Sequence, residues 1–253
     1  MTRRTIPNDA NQDPRAVAFY CDVVDRLRAA SVPFLVGGAW AFECYTGIPG
    51  HTKDLDLFLR QAHLDNALRT LTDAGYQTEL TSPVWLAKVL MGEHLVDLIF
   101  NAGNEGAPVD DSWFEHAPQA KVLRRQLYLV PREEMIWQKA FLMERDRFDG
   151  ADVLHLIRAA RGRLDWKRLQ ERFGIHWRVL LAHLVLFDYV YPSDRAYIPD
   201  DLRRELLERA QAEVGRRTLE AREELRLCYG SFLSRYQYVT DVEHLGYTDA
   251  RKA

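Results

Sequence analysis

Residues 36–60, VGGAWAFECYTGIPGHTKDLDLFLR, decide how the rest of this chain is read. An apolar run, Phe34-Leu35-Val36, stops at Gly37-Gly38, an amphipathic segment and a Gly/Pro-rich turn follow, and then comes Asp54-Leu55-Asp56-Leu57-Phe58-Leu59. Alternate side chains of a strand share a face, so Asp54 and Asp56 point one way while Leu55, Leu57 and Leu59 point into a core. Two carboxylates side by side repel each other, and a stable fold seldom sets them so without a cation. Hard oxygen ligands at this spacing suit Mg²⁺, which takes a couple of carboxylates and completes its shell with water and substrate phosphate. The glycine pair complements this, because glycine lets backbone N–H groups approach an anion and the start of the following helix favours negative charge. Each half alone has a plainer reading, a tight turn in one case and a solvated strand face in the other. Their order and spacing together favour a site for phosphate and metal.

These residues carry a resemblance. Gly37-Gly38, a helix, then Asp54-Leu55-Asp56 with Thr52 and Lys53 just ahead resembles the signature of the DNA polymerase beta-like nucleotidyltransferase superfamily. The similarity is to its small bacterial branch, with the aminoglycoside nucleotidyltransferases and the nucleotidyltransferase toxins, and it spans about residues 30–160. Members place a third carboxylate on a later strand. Here that is Asp97, a lone charge within His94-Leu95-Val96-Asp97-Leu98-Ile99-Phe100, which needs a partner or a metal; a salt bridge to an arginine is the alternative. The resemblance implies that Asp54, Asp56 and Asp97 are both catalytic and metal-binding, with two Mg²⁺ ions, and that Gly37, Gly38, Lys53 and Lys139 bind the nucleoside triphosphate. Lys139 enters through Lys139-x5-Arg145-Asp146-Arg147-Phe148-Asp149-Gly150-Ala151-Asp152, which resembles the family's helical lysine ahead of an Arg-x-x-Asp-rich helix start. Two departures stand out. The gap from Gly38 to Asp54 is long for the family, and Gly38 replaces the serine of many members, so phosphate contact there falls to the backbone.

Composition sets the bounds. A hydrophobic content of 47% and a charged content of 28% fit a globular protein with a real core. A net charge of −3 argues against nucleic-acid binding through bulk positive charge. Cys21, Cys44 and Cys228 are far apart and show no zinc-ligand spacing, so the expectation is reduced thiols and a cytoplasmic location. No signal peptide and no long apolar span is read in the sequence, so no membrane partner is expected.

Taken in order, residues 1–13 read as a frayed terminus. Apolar spacing predicts a helix over 14–30, a strand over 34–36 and a helix over 39–46 whose Trp40 and Phe42 belong to the core. His51, in the loop at 47–51, either contacts phosphate or faces water, the second being preferred. A helix over 63–74 closes at Gly75, strands follow over 76–81, 85–91 and 95–101, and Gly92-Glu93 makes a hairpin turn that sets Asp97 beside the Asp54–Asp56 strand. A loop over 102–111, a short helix near 113–116 and a strand over 126–130 complete the first domain, 14–133.

From Pro131 onward the periodicity is helical, giving a second domain over 134–253. A helix is expected to start at Pro131-Arg132-Glu133-Glu134 with Met135, Ile136, Ala140 and Phe141 inward, the next is capped by Asp149 or Asp152 and holds a packed His155, and further helices follow at about 165–173, 177–190, with a packed His183, and 200–228. WRVLLAHLVLFDYV at 177–190 is apolar almost all round and should be the centre of this domain, being too short to cross a membrane. The tail, with Arg235, Tyr236, Tyr238 and Tyr247, reads as a strap across the domain rather than a clamp on an acceptor.

The fold class is therefore α+β: a mixed-sheet nucleotidyltransferase core flanked by helices, followed by an all-helical C-terminal domain. The implied function is metal-dependent transfer of a nucleoside monophosphate from an NTP, with ATP as a donor, to an acceptor hydroxyl. The acceptor is a small molecule such as an aminoglycoside, or, as the alternative, tRNA or protein modified by a toxin-type enzyme. Acids at Glu105, Asp110 and Asp111 and bases at Arg124, Arg125, Arg145 and Arg147 do not separate these acceptors. A non-catalytic nucleotide-binding protein of the same fold ranks lower because all three acids are present. A metal-dependent phosphate hydrolase ranks lower because histidine ligands are missing beside Asp54 and Asp56.

Overall fold

A computed structural model describes residues 13–50, 52–102, 104, 106–214, 226–234 and 236–252, so residues 1–12 and His51 lie outside the described residues. The chain divides into two units, Met1–Pro131 and Arg132–Ala253.

In the first unit, α1 (Pro14–Ala29) starts where the Asp13 carboxylate accepts the Arg15 N–H at 2.9 Å and Pro14 supplies a helix-ready φ. It leads to β1 (Leu35–Val36), α2 (Gly38–Thr46) and β2 (Asp54–Phe58). Next come α3 (Leu64–Asp73), β3 (Gln77–Ser82), β4 (Leu86–Met91) and β5 (His94–Ile99). The five strands form one mixed sheet in the order β1-β2-β5-β4-β3. Only β2 and β5 run parallel; the other neighbours are antiparallel. The period-two pattern explains how the sheet is buried. Leu55 and Leu57 of β2, Val96 and Leu98 of β5, and Ala87 and Val89 of β4 are all fully buried. The helices α1 and α3 pack on each other and onto the sheet, contributing Phe19, Val23, Leu27, Ala67 and Leu71 to the core. The opposite face carries Asp54, Asp56 and Asp97, all half-buried.

The expected loop at 102–111 holds a two-stranded pair instead, β6 (Asn101–Ala102) with β7 (Ala107–Pro108), followed by α4 (Asp111–Glu115). The single strand expected at 126–130 is the second arm of a hairpin, β8 (Gln119–Val122) with β9 (Arg125–Tyr128). Its two turn residues, Leu123 and Arg124, have φ of 50° and 59°. Such two-residue turns normally advertise themselves through Asn-Gly or Gly, and here neither is present.

The second unit holds α5 (Arg132–Ala140), α6 (Gly150–Ala160), α7 (Trp166–Phe173), α8 (Trp177–Val190) and α9 (Asp200–Glu213). It is not wholly helical. β10 (Leu227–Cys228) pairs in parallel with β11 (Thr248–Asp249), and α10 (Val239–His244) lies between them. The long helix expected over 200–228 is therefore interrupted: Val214 turns extended at ψ 124°, Cys228 lies in a strand, and 215–225 fall outside the described residues.

α8 packs against α5, α6, α7 and α9, yet it buries only one face, with Trp177, Leu180, His183, Leu184 and Phe187 inward. Val185, Leu186, Tyr189 and Val190 are exposed, so the apolar run does not mark all-round burial. With α7 it forms a 25-residue apolar stretch, Trp166–Val190, long enough by composition to cross a membrane. That stretch is broken by a 3₁₀ turn at Gly174–His176 and carries the ion-pairing Lys167, Arg168, Glu171 and Arg172 of α7. His183 is buried as expected, with Nε2 3.0 Å from the Ala140 carbonyl. The tail packs within this unit: the Phe232 ring meets Phe141 and His176, and the Leu233 carbonyl accepts the Met143 N–H at 3.0 Å.

One buried ionic cluster ties α5 to α7. Glu134 is fully buried and accepts from Arg168 Nη2 at 2.7 Å and Arg172 Nε at 3.0 Å. Burial pushes the Glu134 carboxyl above its ordinary value, with the two guanidiniums pulling the other way. Removing one member of such a cluster leaves buried charge uncompensated. Glu134→Ala is therefore expected to cost about 3–5 kcal/mol in urea unfolding; a loss below about 1 kcal/mol would show the cluster to be replaceable.

Candidate active site

Residues far apart in sequence come together on the open sheet face. Asp56 of β2 sits directly beside Asp97 of β5 in the parallel register, and Asp54 lies two residues earlier on the same face. One carboxylate oxygen from each of Asp54, Asp56 and Asp97 lies within 4.8 Å of the others. The Asp97 Oδ1 atom is buried and has no hydrogen-bond partner among the described residues. Burial raises the Asp97 carboxyl to about 6, with Lys88 opposing and Asp54 adding to the shift.

The start of β2 is fixed from several sides. The Tyr20 hydroxyl donates to the Lys53 carbonyl at 2.9 Å, and the Trp40 indole N–H donates to the Asp54 carbonyl at 3.0 Å. The two rings meet edge to face, with centroids 6.2 Å apart. The Tyr20 phenol is pushed up to about 12 by burial first and then by Asp54, Asp13 and Asp56. The Thr52 hydroxyl hydrogen-bonds the Asp54 carboxylate. Trp40 is thus a core residue, as expected, with a polar handle that positions an acid.

The glycines serve the acids as much as any anion. Gly38 has φ of +51°, and a Cβ there would run into the Asp56 carboxylate. Gly37 lies so close to the Phe58 ring that a side chain would strike it. Gly37 N–H is already committed to the Asp56 carbonyl at 2.9 Å. The first intrahelical bond of α2 runs from Ala41 N–H to Gly37 O at 3.1 Å, which leaves the amides of Gly38, Ala39 and Trp40 without helical partners. The Gly37 amide is therefore not open to an anion, whereas those three lack helical partners.

Lys53 is exposed. Lys139, in the second unit, is locked between Asp149 and Asp152, both at 2.7 Å. Asp149 stands at the cap position of α6, but its carboxylate binds Lys139 and Arg147 in place of the helix amides. Several charges weighed for acceptor choice are also engaged, Asp111 with Arg60 and Arg125 with Asp25; Glu105 lies outside the described residues.

One site residue escaped the sequence reading. Lys88 of β4 stands opposite Asp97 in the antiparallel register. The signal was present: a two-residue turn at Gly92-Glu93 pairs Met91 with His94, and counting back along the hairpin brings Lys88 to Asp97.

Three carboxylates and a glycine-started helix lie together on the open face of this five-stranded mixed sheet. Residues 20–123 match the family model described as aminoglycoside-2''-adenylyltransferase, a stretch that contains Gly37, Gly38 and all three acids. No curated protein matches the chain. Among solved structures, the solution structure of antibiotic-resistance factor ANT(2'')-Ia aligns at 16% identity over 68% of this chain and 98% of its own, TM-score 0.47. The lincomycin-bound lincosamide antibiotic adenylyltransferase LnuA aligns at 14% identity over 57% and 96%, TM-score 0.40. JHP933 from Helicobacter pylori aligns at 11% identity over 79% and 97%, TM-score 0.41.

The donor set suits a hard divalent cation. Oxygens sharing one Mg²⁺ lie up to about 4.2 Å apart, close to the spacing of the triad, and the orphaned Asp97 Oδ1 supplies an acceptor with no other employment. The shifted carboxyl gives a test in the metal-free protein. A folded-state value raised from 3.8 to about 6 means that the stabilisation is present at acid pH and is lost as pH rises through about 6. Asp97→Asn is expected to raise stability in chelator at about pH 7 by roughly 1–2 kcal/mol, with the gain vanishing toward about pH 4. A variant less stable than the parent at neutral pH would contradict this reading of the site.

Proposed function

We propose that the chain transfers a nucleoside monophosphate, with ATP as the first donor to test, onto a hydroxyl of a small-molecule acceptor and releases pyrophosphate. The observation that carries this reading is the convergence of Asp54, Asp56 and Asp97 on one face of the sheet, next to the amides that start α2. The matched family model, by its description an aminoglycoside adenylyltransferase, supports the donor and the small-molecule class of acceptor.

Phosphoryl chemistry of this kind asks the protein for positioning and charge neutralisation more than for covalent work. Asp54 and Asp56 would hold the Mg²⁺ that accompanies the triphosphate, and all three acids would hold a second ion. Mg²⁺ bound there supplies charge neutralisation at the attacking and leaving oxygens. Asp97, whose Oδ1 has no hydrogen-bond partner among the described residues, is the residue we assign to the acceptor proton. The amides of Gly38, Ala39 and Trp40 face the donor phosphates. Lys53 is assigned to the triphosphate as an exposed cation beside Asp54, and Lys139, which the resemblance also assigns to donor phosphate, is paired with Asp149 and Asp152. The three free thiols fit the cytoplasm as the working compartment.

The test is incubation with each α-labelled NTP and Mg²⁺ across a panel of aminoglycosides, lincosamides and total RNA. Label is expected on a small molecule, and Asp56→Asn is expected to lower the rate on the order of 10²-fold or more with unchanged melting. Label on RNA alone, or substantial activity in Asp56→Asn, would overturn the assignment.

A further inference from the structure

We propose that Lys88 sets the charge class of the acceptor: it admits a small polyol whose reacting end is neutral or anionic and disfavours one that brings an ammonium group to the same place. This rests on the transferase reading given above and narrows its acceptor. The basis is the order of the sheet. The amides that start α2, to which the donor phosphates are assigned, lie on the β2 side of Asp97, where Gly38 packs against the Asp56 carboxylate. On the other side of β5 runs β4, and the antiparallel register sets Lys88 directly opposite Asp97. Opposed residues of paired strands share a face.

In transfer at phosphorus the attacking and leaving oxygens stand roughly in line. The acceptor oxygen forms a bond to the α-phosphorus, the bond to pyrophosphate breaks with its electron pair, and the hydroxyl proton passes to Asp97. With pyrophosphate leaving toward the α2 amides, the acceptor enters from the β4 side, over Lys88.

Lys88 is half-buried and makes no hydrogen bond or ion pair with any described residue. Asp97 feels its charge, yet the two side chains do not close into an ion pair, so the ammonium stays open to a third group. The next residue in the row, Glu79 of β3, is exposed, and its carboxylate accepts the Thr81 hydroxyl at 3.3 Å. Two residues along the same face, Leu90 of β4 pairs with Leu95 of β5, both half-buried, which gives the entering molecule apolar contact beside the lysine. Lys53, by contrast, is exposed and stands next to Asp54 on the donor side.

An acceptor ammonium beside the reacting hydroxyl would sit against Lys88 where water is partly excluded, and like charges so placed weaken binding by roughly tenfold or more. A phosphate or carboxylate there gains a charge-assisted hydrogen bond instead, and a neutral hydroxyl accepts an ordinary one.

The test reads binding rather than turnover. The whole protein, loaded with Mg²⁺ and a non-hydrolysable ATP analogue, is titrated under NMR observation with four pyranoses that differ only at C6: glucose, glucuronate, glucose 6-phosphate and 6-amino-6-deoxyglucose. The parent is expected to bind at least one of the two anionic sugars about tenfold or more tighter than the amino sugar, with glucose between them. Whether glucuronate or glucose 6-phosphate gains more names the anion that Lys88 receives. Lys88→Met is expected to erase the order, and Lys88→Gln, chosen to retain a polar group should Met fail to fold, is expected to do the same. Lys88→Arg, which keeps the charge, should preserve it. A parent that prefers the amino sugar, a nucleotide-loaded parent that binds none of the four, or neutral variants that melt normally and keep the parent's order would each overturn the role of Lys88. Failure of the parent to bind the ATP analogue would instead remove the transferase reading, and this inference with it.

Discussion

Like-charge repulsion among Asp54, Asp56 and Asp97 is the constraint on which the rest of this structure turns. Three carboxylates whose oxygens fall within 4.8 Å of one another are a poor way to make a stable sheet. The fold meets that cost by burying a continuous apolar layer behind them, where Leu55, Leu57, Val96 and Leu98 are sealed by α1 and α3. It also lets the acids sit half-exposed on the open face, so that solvent or a cation can reach them.

Around that patch the structure spends its polar contacts on holding the acids in place. Tyr20 and Trp40 clamp the backbone at Lys53 and Asp54 from two helices, and the Thr52 hydroxyl turns the Asp54 carboxylate. Gly38 gives up its side chain so that Asp56 can lie against the start of α2, which sets a carboxylate beside unpaired helix amides. Lys88 then supplies the one positive charge within the row. The second unit uses ion pairs differently. There Glu134 pairs with Arg168 and Arg172, Arg168 also reaches Glu133, and Lys139 is held by Asp149 and Asp152.

Most of the sheet was legible in the sequence because it follows period-two alternation and glycine-marked turns. The Asp54–Asp56 strand, the Gly92-Glu93 hairpin and the place of Asp97 beside Asp56 all follow from those two rules. What stayed hidden had no local signal. The β8–β9 hairpin turns on Leu123 and Arg124, residues that rarely take positive φ. The exposed side of α8 is as apolar as its buried side, so periodicity could not tell them apart. The partners of Lys139 depend on where Asp149 and Asp152 fall around a helix start, which is a tertiary fact. Lys88 was readable in principle, since the hairpin register fixes it, but a lone lysine in an apolar strand attracts no notice until the opposing acid is assigned a task. The contact of Gly37 also depended on tertiary structure: its amide closes onto β2, and the amides without helical partners begin one residue later.

Asp54, Asp56 and Asp97 would together hold a divalent cation. A crystal of the protein grown with Mn²⁺ and an NTP analogue, measured at the manganese absorption edge, tests it directly. The expected result is an anomalous peak within about 2.2 Å of carboxylate oxygens from Asp54, Asp56 and Asp97 together. A peak bound elsewhere, or none on this row with nucleotide present, would contradict it.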